Sequence, residues 1–186
     1  LIYFAAIPEK PITRVVDFGG GGGNLFTVVE KLLSHRKFDW SVVETTPLCA
    51  AANSTLRKAN INWVNSLEIL ARKKANIDIV IASSSIQYTA NPMQTLEQFI
   101  ELTPQYIVLT KTPLLREPNP RKFFQESRLS NNGPGALPEG IRDMPIVYQI
   151  TIPSMNMVEK LLQQNYEILF KVNEGSVKLR GVNTAL

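Results

Sequence analysis

The chain has 186 residues, of which 44% are hydrophobic and 19% are charged, and this is enough for one globular domain with a buried core. The formal net charge of +4 comes from scattered basic clusters near predicted helix ends, so we expect no nucleic-acid partner. No apolar run approaches the roughly 20 residues of a membrane span, and the single cysteine, Cys49, excludes an internal disulfide. We therefore expect a cytoplasmic protein in which residues 1–186 form a single domain.

Short apolar runs alternate with longer helical patterns from Arg14 onward. This alternation is typical of a parallel sheet with crossover helices. Strands are predicted at 14–18, 40–44, 61–64, 77–82 and 106–109. Helices are predicted at 25–33, 47–58, 67–72 and 92–102, the second of them capped by Thr46 and opened by Pro47. The fourth strand is apolar enough for burial on both faces, so we expect it at the centre of the sheet.

Prolines interrupt this pattern between positions 113 and 153, where seven of the twelve occur. We interpret 113–153 as an insertion or lid within the single domain. A helix is predicted at 155–164, and the stretches 166–172 and 177–182 flank a turn-forming Asn-Glu-Gly, which predicts a hairpin. The predicted fold class is therefore α/β: a Rossmann-like, doubly wound, mostly parallel sheet of seven strands that ends in a C-terminal antiparallel hairpin.

Five of the ten glycines are consecutive, at 19–23, between the first predicted strand and the first predicted helix. Glycine allows a positive φ and lets a ligand approach the backbone without meeting a Cβ atom. The helix that follows presents unpaired N–H groups. The turn is therefore predicted to bind a cofactor at close range rather than to be merely a tight connection.

The register of the glycines distinguishes between cofactors. A dinucleotide-binding fingerprint, G-x-G-x-x-G, needs its third glycine three residues beyond the second. That place falls within 24–26, where this chain has no glycine. In contrast, Asp17-x-Gly19-x-Gly21-x-Gly23 matches the acidic-then-alternating-glycine motif of class I methyltransferases at every place.

Glu44 ends the second predicted strand about 25 residues after the first glycine, close to where an acidic ribose partner is expected. A carboxylate there can accept hydrogen bonds from both ribose hydroxyls. Because NAD enzymes use the same arrangement, Glu44 does not separate the two classes.

Four stretches together resemble a bacterial methyltransferase family of unassigned substrate: 15–21, 40–44, 79–88 and 110–114. The resemblance covers most of the chain and implies a class I methyltransferase with S-adenosylmethionine as its cofactor. It implies that the cofactor is bound by Asp17, Gly19, Gly20, Gly21, Gly23, Glu44, Asn65, Ser66, Ser83 and Ser84. For Ser66, capping of the helix that follows is an equally good interpretation. Members of the family are often associated with surface-polysaccharide biosynthesis, which implies a sugar or a related small metabolite as acceptor.

The sequence after the fourth strand, Ser84-Ser85-Ile86-Gln87-Tyr88, differs from the Asp/Asn-Pro-Pro-aromatic motif of many class I enzymes that methylate amino groups. This difference favours an oxygen acceptor. A base within hydrogen-bond reach could assist such a transfer. The candidates are Lys111 and Tyr88, with Glu117 and Asp143 in the 113–153 segment.

Other catalytic chemistry finds little support in the sequence. His35 falls at the predicted end of the first helix, away from the carboxyl edge of the sheet, so we interpret it as a surface or capping residue. One cysteine and one histidine cannot form the usual nitrogen and sulfur ligand sets, so no metal site is expected. The aromatic and basic side chains of 113–153 could shape an acceptor pocket; they are Arg121, Phe123, Phe124, Arg128 and Tyr148.

Two alternatives remain open. One is a cofactor-binding domain without catalysis, which would serve as a structural or regulatory partner, because no motif supports a catalytic base. The other is an NAD-binding oxidoreductase, because the strand, the glycine turn and the acid are shared with that class.

Overall fold

The computed structural model describes residues 10–56, 60–73, 76–130, 137, 139–173 and 175, together with the backbone of 131, 178–179 and 182–185. Five parallel strands form its main sheet: β1 (Thr13–Phe18), β2 (Phe38–Val43), β3 (Ile61–Val64), β4 (Ile79–Ser83) and β5 (Tyr106–Thr110). Their spatial order is β3-β2-β1-β4-β5, with every neighbouring pair parallel. The middle strand is therefore β1, and β4, which was predicted to be central, lies beside it.

Among the described residues, five α-helices connect or flank the strands: α1 (Asn24–Leu32), α2 (Thr46–Thr55), α3 (Leu67–Arg72), α4 (Pro92–Glu101) and α5 (Met155–Leu162). The predicted cap of α2 is wrong by one residue, because Thr45 occupies the N-cap and Thr46 is already helical. Thr45 has extended backbone angles, whereas Pro47 lies within the first helical turn, where its missing N–H has no intrahelical partner. The predicted end of this helix, near Lys58, falls among residues 57–59, outside the described residues.

The sheet is covered on both faces. One face packs Val15 and Trp40 against α1 and α2, and the other packs Val16 and Val80 against α3, α4 and α5. Alternate residues of β1 therefore enter different cores, which explains why its sequence is apolar at consecutive positions. This is the doubly wound arrangement that the sequence predicts.

The second part of the chain is antiparallel. Here β7 (Arg121–Ser127) pairs with β8 (Ile146–Ile152), while β6 (Leu114–Leu115), β9 (Lys178–Leu179) and β10 (Val182–Ala185) form a small sheet in the order β6-β10-β9. In the described part of the chain the main sheet thus has five strands, not the predicted seven. The antiparallel strands are separate from it because they pair with one another.

The predicted C-terminal hairpin is wrong in its first arm. Residues 166–172 form no strand, and the antiparallel pair consists of β9 and β10 instead. The Tyr166 hydroxyl donates to the Pro104 carbonyl at 3.0 Å, so a side chain fixes the start of this stretch, while Leu169 and Phe170 are exposed. Alternating apolar residues do not make a strand unless a backbone partner lies alongside.

The proline-rich segment contains β7 and β8, which the sequence analysis missed. Its prolines flank these strands: Pro120 precedes β7, and Pro145 and Pro153 lie on either side of β8. Proline cannot donate to a ladder and is confined to strand ends and edges, so these prolines mark strand boundaries. One face of the β7–β8 hairpin packs Ile150 and Ile152 against Leu115.

No helix in the described part of the chain has the length and apolar character needed to cross a membrane.

Candidate functional site

The glycine turn joins the carboxyl end of β1 to α1, at the edge where ligands bind in open α/β sheets. The N–H of Gly23 donates to the Gly20 carbonyl at 3.0 Å and closes the turn. At its crest Gly21 has φ 56°, and a Cβ placed there would meet no atom within 4 Å. Gly21 therefore faces open space at its Cβ position.

Asp17 lies beneath the turn and is 1% exposed. The Trp40 indole donates to its Oδ2 at 3.2 Å, and a Cβ on Gly20 would lie 2.4 Å from its Cγ. Burial raises the pKa of this carboxyl to about 6, partly offset by the Trp40 hydrogen bond and reinforced by the charge of Glu44. Asp17 thus supports the turn from below, and only glycine fits above it.

Glu44 follows β2 directly and binds the crest of the turn. Its Oε1 accepts from the Gly21 N–H at 3.1 Å, and its Oε2 accepts from the Thr45 N–H at 2.9 Å. The Trp63 indole donates to the Gly21 carbonyl at 2.9 Å. Both polar groups of Gly21 are therefore held by residues near the ends of β2 and β3, and each Glu44 oxygen keeps a second lone pair for a ligand.

The two residues after β3 differ in their surroundings. The exposed Asn65 donates from Nδ2 to Thr46 Oγ1 at 3.2 Å and so connects the end of β3 to the first turn of α2. Ser66 occupies the N-cap of α3, but its side chain makes no capping hydrogen bond. In α2, the buried Cys49 donates from Sγ to the Glu44 carbonyl at 3.4 Å, and burial raises the pKa of its thiol.

Two residues at the carboxyl ends of β4 and β5 have left-handed backbones. Ser84, after β4, has φ 52°, and Lys111, after β5, has φ 49°. The Ser84 N–H donates to the Thr110 carbonyl at 2.9 Å, which ties the two strand ends together. For a residue with a Cβ this conformation costs roughly 1–2 kcal/mol, and such strain concentrates at functional sites.

Ser85 was not predicted as a site residue, yet it contacts the turn. Its hydroxyl donates to the Phe18 carbonyl at 2.7 Å, and a Cβ on Gly19 would lie 2.5 Å from its Cβ. Ser83, at the end of β4, is half-buried. The serines therefore lie across the sheet edge from Glu44, with the glycine turn between them.

Tyr88 brings the β7–β8 hairpin to this edge. Its ring lies 5.5 Å from that of Tyr148 in β8, in an edge-to-face arrangement, and its hydroxyl lies 3.5 Å from Gln125 Oε1 in β7. Burial, followed by the neighbouring Tyr148, raises the pKa of the Tyr88 phenol. A phenol of raised pKa keeps its proton, so Tyr88 can donate a hydrogen bond but is a poor base.

The other residues considered as catalytic bases lie away from the glycine turn. Glu117 forms an ion pair with Arg121 at 3.2 Å, and the Asp143 carboxylate accepts from the Ser130 hydroxyl at 2.6 Å. His35 is exposed between α1 and β2, at the amino edge of the sheet. Among the described residues there is no group of three side chains that could hold a metal ion.

Comparison with known proteins gives the fold. No protein-family model matches the chain, and no curated protein matches it. Among solved structures, the N-terminal domain of EvdMO1 in the presence of SAH and D-fucose is similar over 93% of this chain and 73% of that chain, with 10% identity and a TM-score of 0.55. The same domain with SAH bound gives 11% identity over 93% of this chain and 72% of that one, with a TM-score of 0.52.

More distant similarity extends to larger proteins. A complex containing the Haloferax volcanii Trm112 methyltransferase activator matches over 51% of this chain with 17% identity and a TM-score of 0.38. The chain spans only 42% of the length of that match. The comparison therefore shows that this chain shares the fold of the N-terminal domain of EvdMO1.

Proposed function

We propose that this protein is an S-adenosylmethionine-dependent methyltransferase that acts on a small molecule. One observation carries the proposal: Gly21 is open at its Cβ position, while both of its polar groups are fixed by Glu44 and Trp63. A backbone held open in this way at the carboxyl edge of a doubly wound sheet suits a ligand that approaches within contact distance. The fold shared with an SAH-bound domain supports the same cofactor.

The residues present fit this cofactor. Gly21 offers space that any side chain would fill, and Glu44 retains acceptor capacity for the two ribose hydroxyls. Asn65 and Ser66, after β3, are proposed to lie against the adenine, and Ser83 and Ser84 against the end that carries the methyl group. Asp17, Gly19, Gly20 and Gly23 shape the turn from beneath and at its ends.

The chemistry is a transfer to oxygen. When bound, S-adenosylmethionine supplies a methyl group on an already activated leaving group, so the protein contributes mainly position. Tyr88, with a protonated phenol in the short helical turn that follows β4, is proposed to orient the acceptor by donating a hydrogen bond. Lys111, exposed after β5, is the remaining candidate for proton transfer. A sugar or a similar hydroxylated metabolite suits an oxygen acceptor.

The β7–β8 hairpin is proposed as a lid over the acceptor. The contact of Tyr148 with Tyr88 brings it to the end of β4, and Gln125 adds a polar group beside the Tyr88 hydroxyl. A structure with acceptor bound in which Tyr148 lies remote from that acceptor would exclude this role.

A non-catalytic cofactor-binding domain is the second candidate. It is favoured by the partners of the acidic base candidates, since Glu117 is held by Arg121 and Asp143 by Ser130. Methyl transfer to any acceptor by the purified protein would eliminate it.

Calorimetric titration with S-adenosylhomocysteine, with NAD as the control ligand, tests the cofactor. We expect binding of S-adenosylhomocysteine alone.

Glu44→Ala should weaken binding of S-adenosylhomocysteine by about 1.5–3 kcal/mol, because it removes a charge-assisted hydrogen bond. Gly21→Asp should abolish binding by filling the open crest with a charged side chain. Asp39→Ala is the matched control, since it removes a carboxylate from the amino end of the same strand, where Asp39 pairs with Arg14. Binding of NAD alone, or equal affinity for Glu44→Ala and the wild type, would contradict the proposal.

A further inference from the structure

Trp63 has an unusual position for a buried aromatic residue. It is 5% exposed and belongs to the core on the α1 and α2 face, yet its indole N–H reaches the Gly21 carbonyl at 2.9 Å. Its own carbonyl accepts from Asn53 Nδ2 in α2 at 3.1 Å, and its strand is paired with β2 at Val42. The ring is therefore fixed by packing and its backbone by hydrogen bonds, so the direction of its N–H is set before any ligand arrives.

The Trp63 indole determines the orientation of the peptide group between Gly21 and Gly22. In a trans peptide the carbonyl of Gly21 and the N–H of Gly22 point in opposite directions across one plane. With the Gly21 carbonyl held toward Trp63, the Gly22 N–H points away from the core. Among the described residues nothing accepts a hydrogen bond from it, and its neighbour Gly21 is open to space at the Cβ position.

The Gly21 N–H is held on the other side by Glu44 Oε1 at 3.1 Å. The peptide groups before and after Gly21 are therefore both constrained, the first by a carboxylate and the second by an indole. Glu44 holds only the Gly20–Gly21 peptide group, so it cannot by itself keep the Gly22 N–H in place.

We infer that Trp63 is a positioning residue, which orients the Gly21–Gly22 peptide so that the Gly22 N–H is presented to the cofactor as a preformed hydrogen-bond donor. This inference rests on the proposed function for the identity of the ligand, but not for the geometry. A donor oriented in advance costs no ordering when the ligand binds. Trp63 itself touches no substrate.

The test combines Trp63→Phe with backbone 15N relaxation and calorimetry. Trp63→Phe keeps an aromatic ring in the core and removes the indole donor. In the free protein we expect the Gly22 amide to become more mobile, with a lower order parameter than in the wild type. We expect affinity for S-adenosylhomocysteine to fall by about tenfold, the scale of one hydrogen bond.

Asn62→Ala is the matched control. It removes a comparable hydrogen bond from the same strand, in which Asn62 Nδ2 donates to the Trp40 carbonyl at 3.2 Å, and it leaves the turn untouched. Its affinity should stay within about twofold of wild type at a similar loss of stability. If both variants lose affinity in step with stability, or if Trp63→Phe leaves the glycine amides unchanged, Trp63 is only a core residue and the inference is wrong.

A measurement on the wild type covers the case in which Trp63→Phe does not fold. Saturating S-adenosylhomocysteine should slow exchange of the Gly22 amide more than that of Gly21, which Glu44 already protects. Equal slowing of both would overturn the inference. If the wild type binds no S-adenosylhomocysteine, the proposed function fails, while the Gly22 order parameter of free Trp63→Phe still decides whether Trp63 orients the turn.

Discussion

The glycine turn and the β7–β8 hairpin meet the same edge of the sheet but are held there in different ways. The turn is held by hydrogen bonds from Glu44 and Trp63 to Gly21, Ser85 bonds to the Phe18 carbonyl beside it, and the buried Asp17 lies closely beneath Gly20. The hairpin packs through Ile150 and Ile152 on Leu115, and its contact with the edge runs through a pair of tyrosines.

This difference shows which parts of the site are specified locally. Around the turn, an added Cβ on Gly19, Gly20 or Gly23 would meet another atom at 2.5 Å or less, so substitution there forces a neighbour to move. On the outer face of the hairpin Phe124 is 80% exposed and has little to displace. These three positions tolerate almost no change, whereas the hairpin allows change on one face.

The largest expected effect concerns the carboxyl below the turn. The pKa of Asp17 is raised from 3.8 to about 6, so the folded protein holds this proton more tightly than the unfolded chain. The stability that the group contributes is therefore fully present below pH 3.8 and lost as the pH rises through 6. The whole window corresponds to about 3 kcal/mol.

Asp17→Asn removes this titration. In urea unfolding followed from acid to mildly alkaline pH, the wild type should gain stability relative to the variant as the pH falls, by about 2–3 kcal/mol. If the difference in unfolding free energy between the two proteins stays constant with pH, the pKa of the Asp17 carboxyl is the same in the folded and unfolded states, and burial does not raise it.

A smaller loss of stability should distinguish substitutions at two glycines of the turn, Gly20 and Gly22. Gly20→Ala places a Cβ 2.4 Å from the buried Asp17 carboxyl, and we expect a loss of about 1–3 kcal/mol from overpacking. Gly22→Ala is the control, because its Cβ would meet only Leu56, at an ordinary 3.8 Å. The free energies of unfolding of the two variants decide the point, and equal values would show that the turn can relax away from Asp17.

The smallest effect belongs to the hairpin. Tyr148→Ala removes an aromatic pair worth about 0.5–1.5 kcal/mol, so hydrogen exchange in 121–127 and 146–152 should accelerate while the parallel sheet keeps its protection. Phe124→Ala serves as the control and should change stability by less than about 0.5 kcal/mol, because the ring is exposed. If Tyr148→Ala instead accelerated hydrogen exchange in the glycine turn, the hairpin and the turn would be one cooperative unit.

The parallel sheet and its turn could be predicted because their signals are local. Apolar runs such as Ile79–Ser83 are read directly from the sequence, and glycine is the residue that a strand-to-helix turn with positive φ requires. Glu44 was placed by its spacing from the turn, and the structure has it in contact with Gly21.

The rest depended on distant partners. Trp63 contacts a glycine 42 positions earlier, and Ser85 donates to a carbonyl 67 positions earlier, so no local pattern identifies either residue. The hairpin was missed for another reason: prolines at 120, 145 and 153 were read as a break in structure, whereas they stand at strand ends. The first arm of the predicted C-terminal hairpin was wrong because a turn signal between two stretches says nothing about whether a backbone partner lies alongside the first of them.

Cys49 gives the site a chemical reporter. It is the one thiol in the chain, it is buried at the start of α2, and it donates to the carbonyl of the residue that holds the crest of the turn. Because Cys49 is buried, a thiol-modifying reagent reaches its sulfur only when α2 separates from β2, so the rate of labelling measures openings at this edge of the sheet. A ligand bound by Glu44 would slow that rate, and its binding could then be followed as protection of a single native sulfur atom.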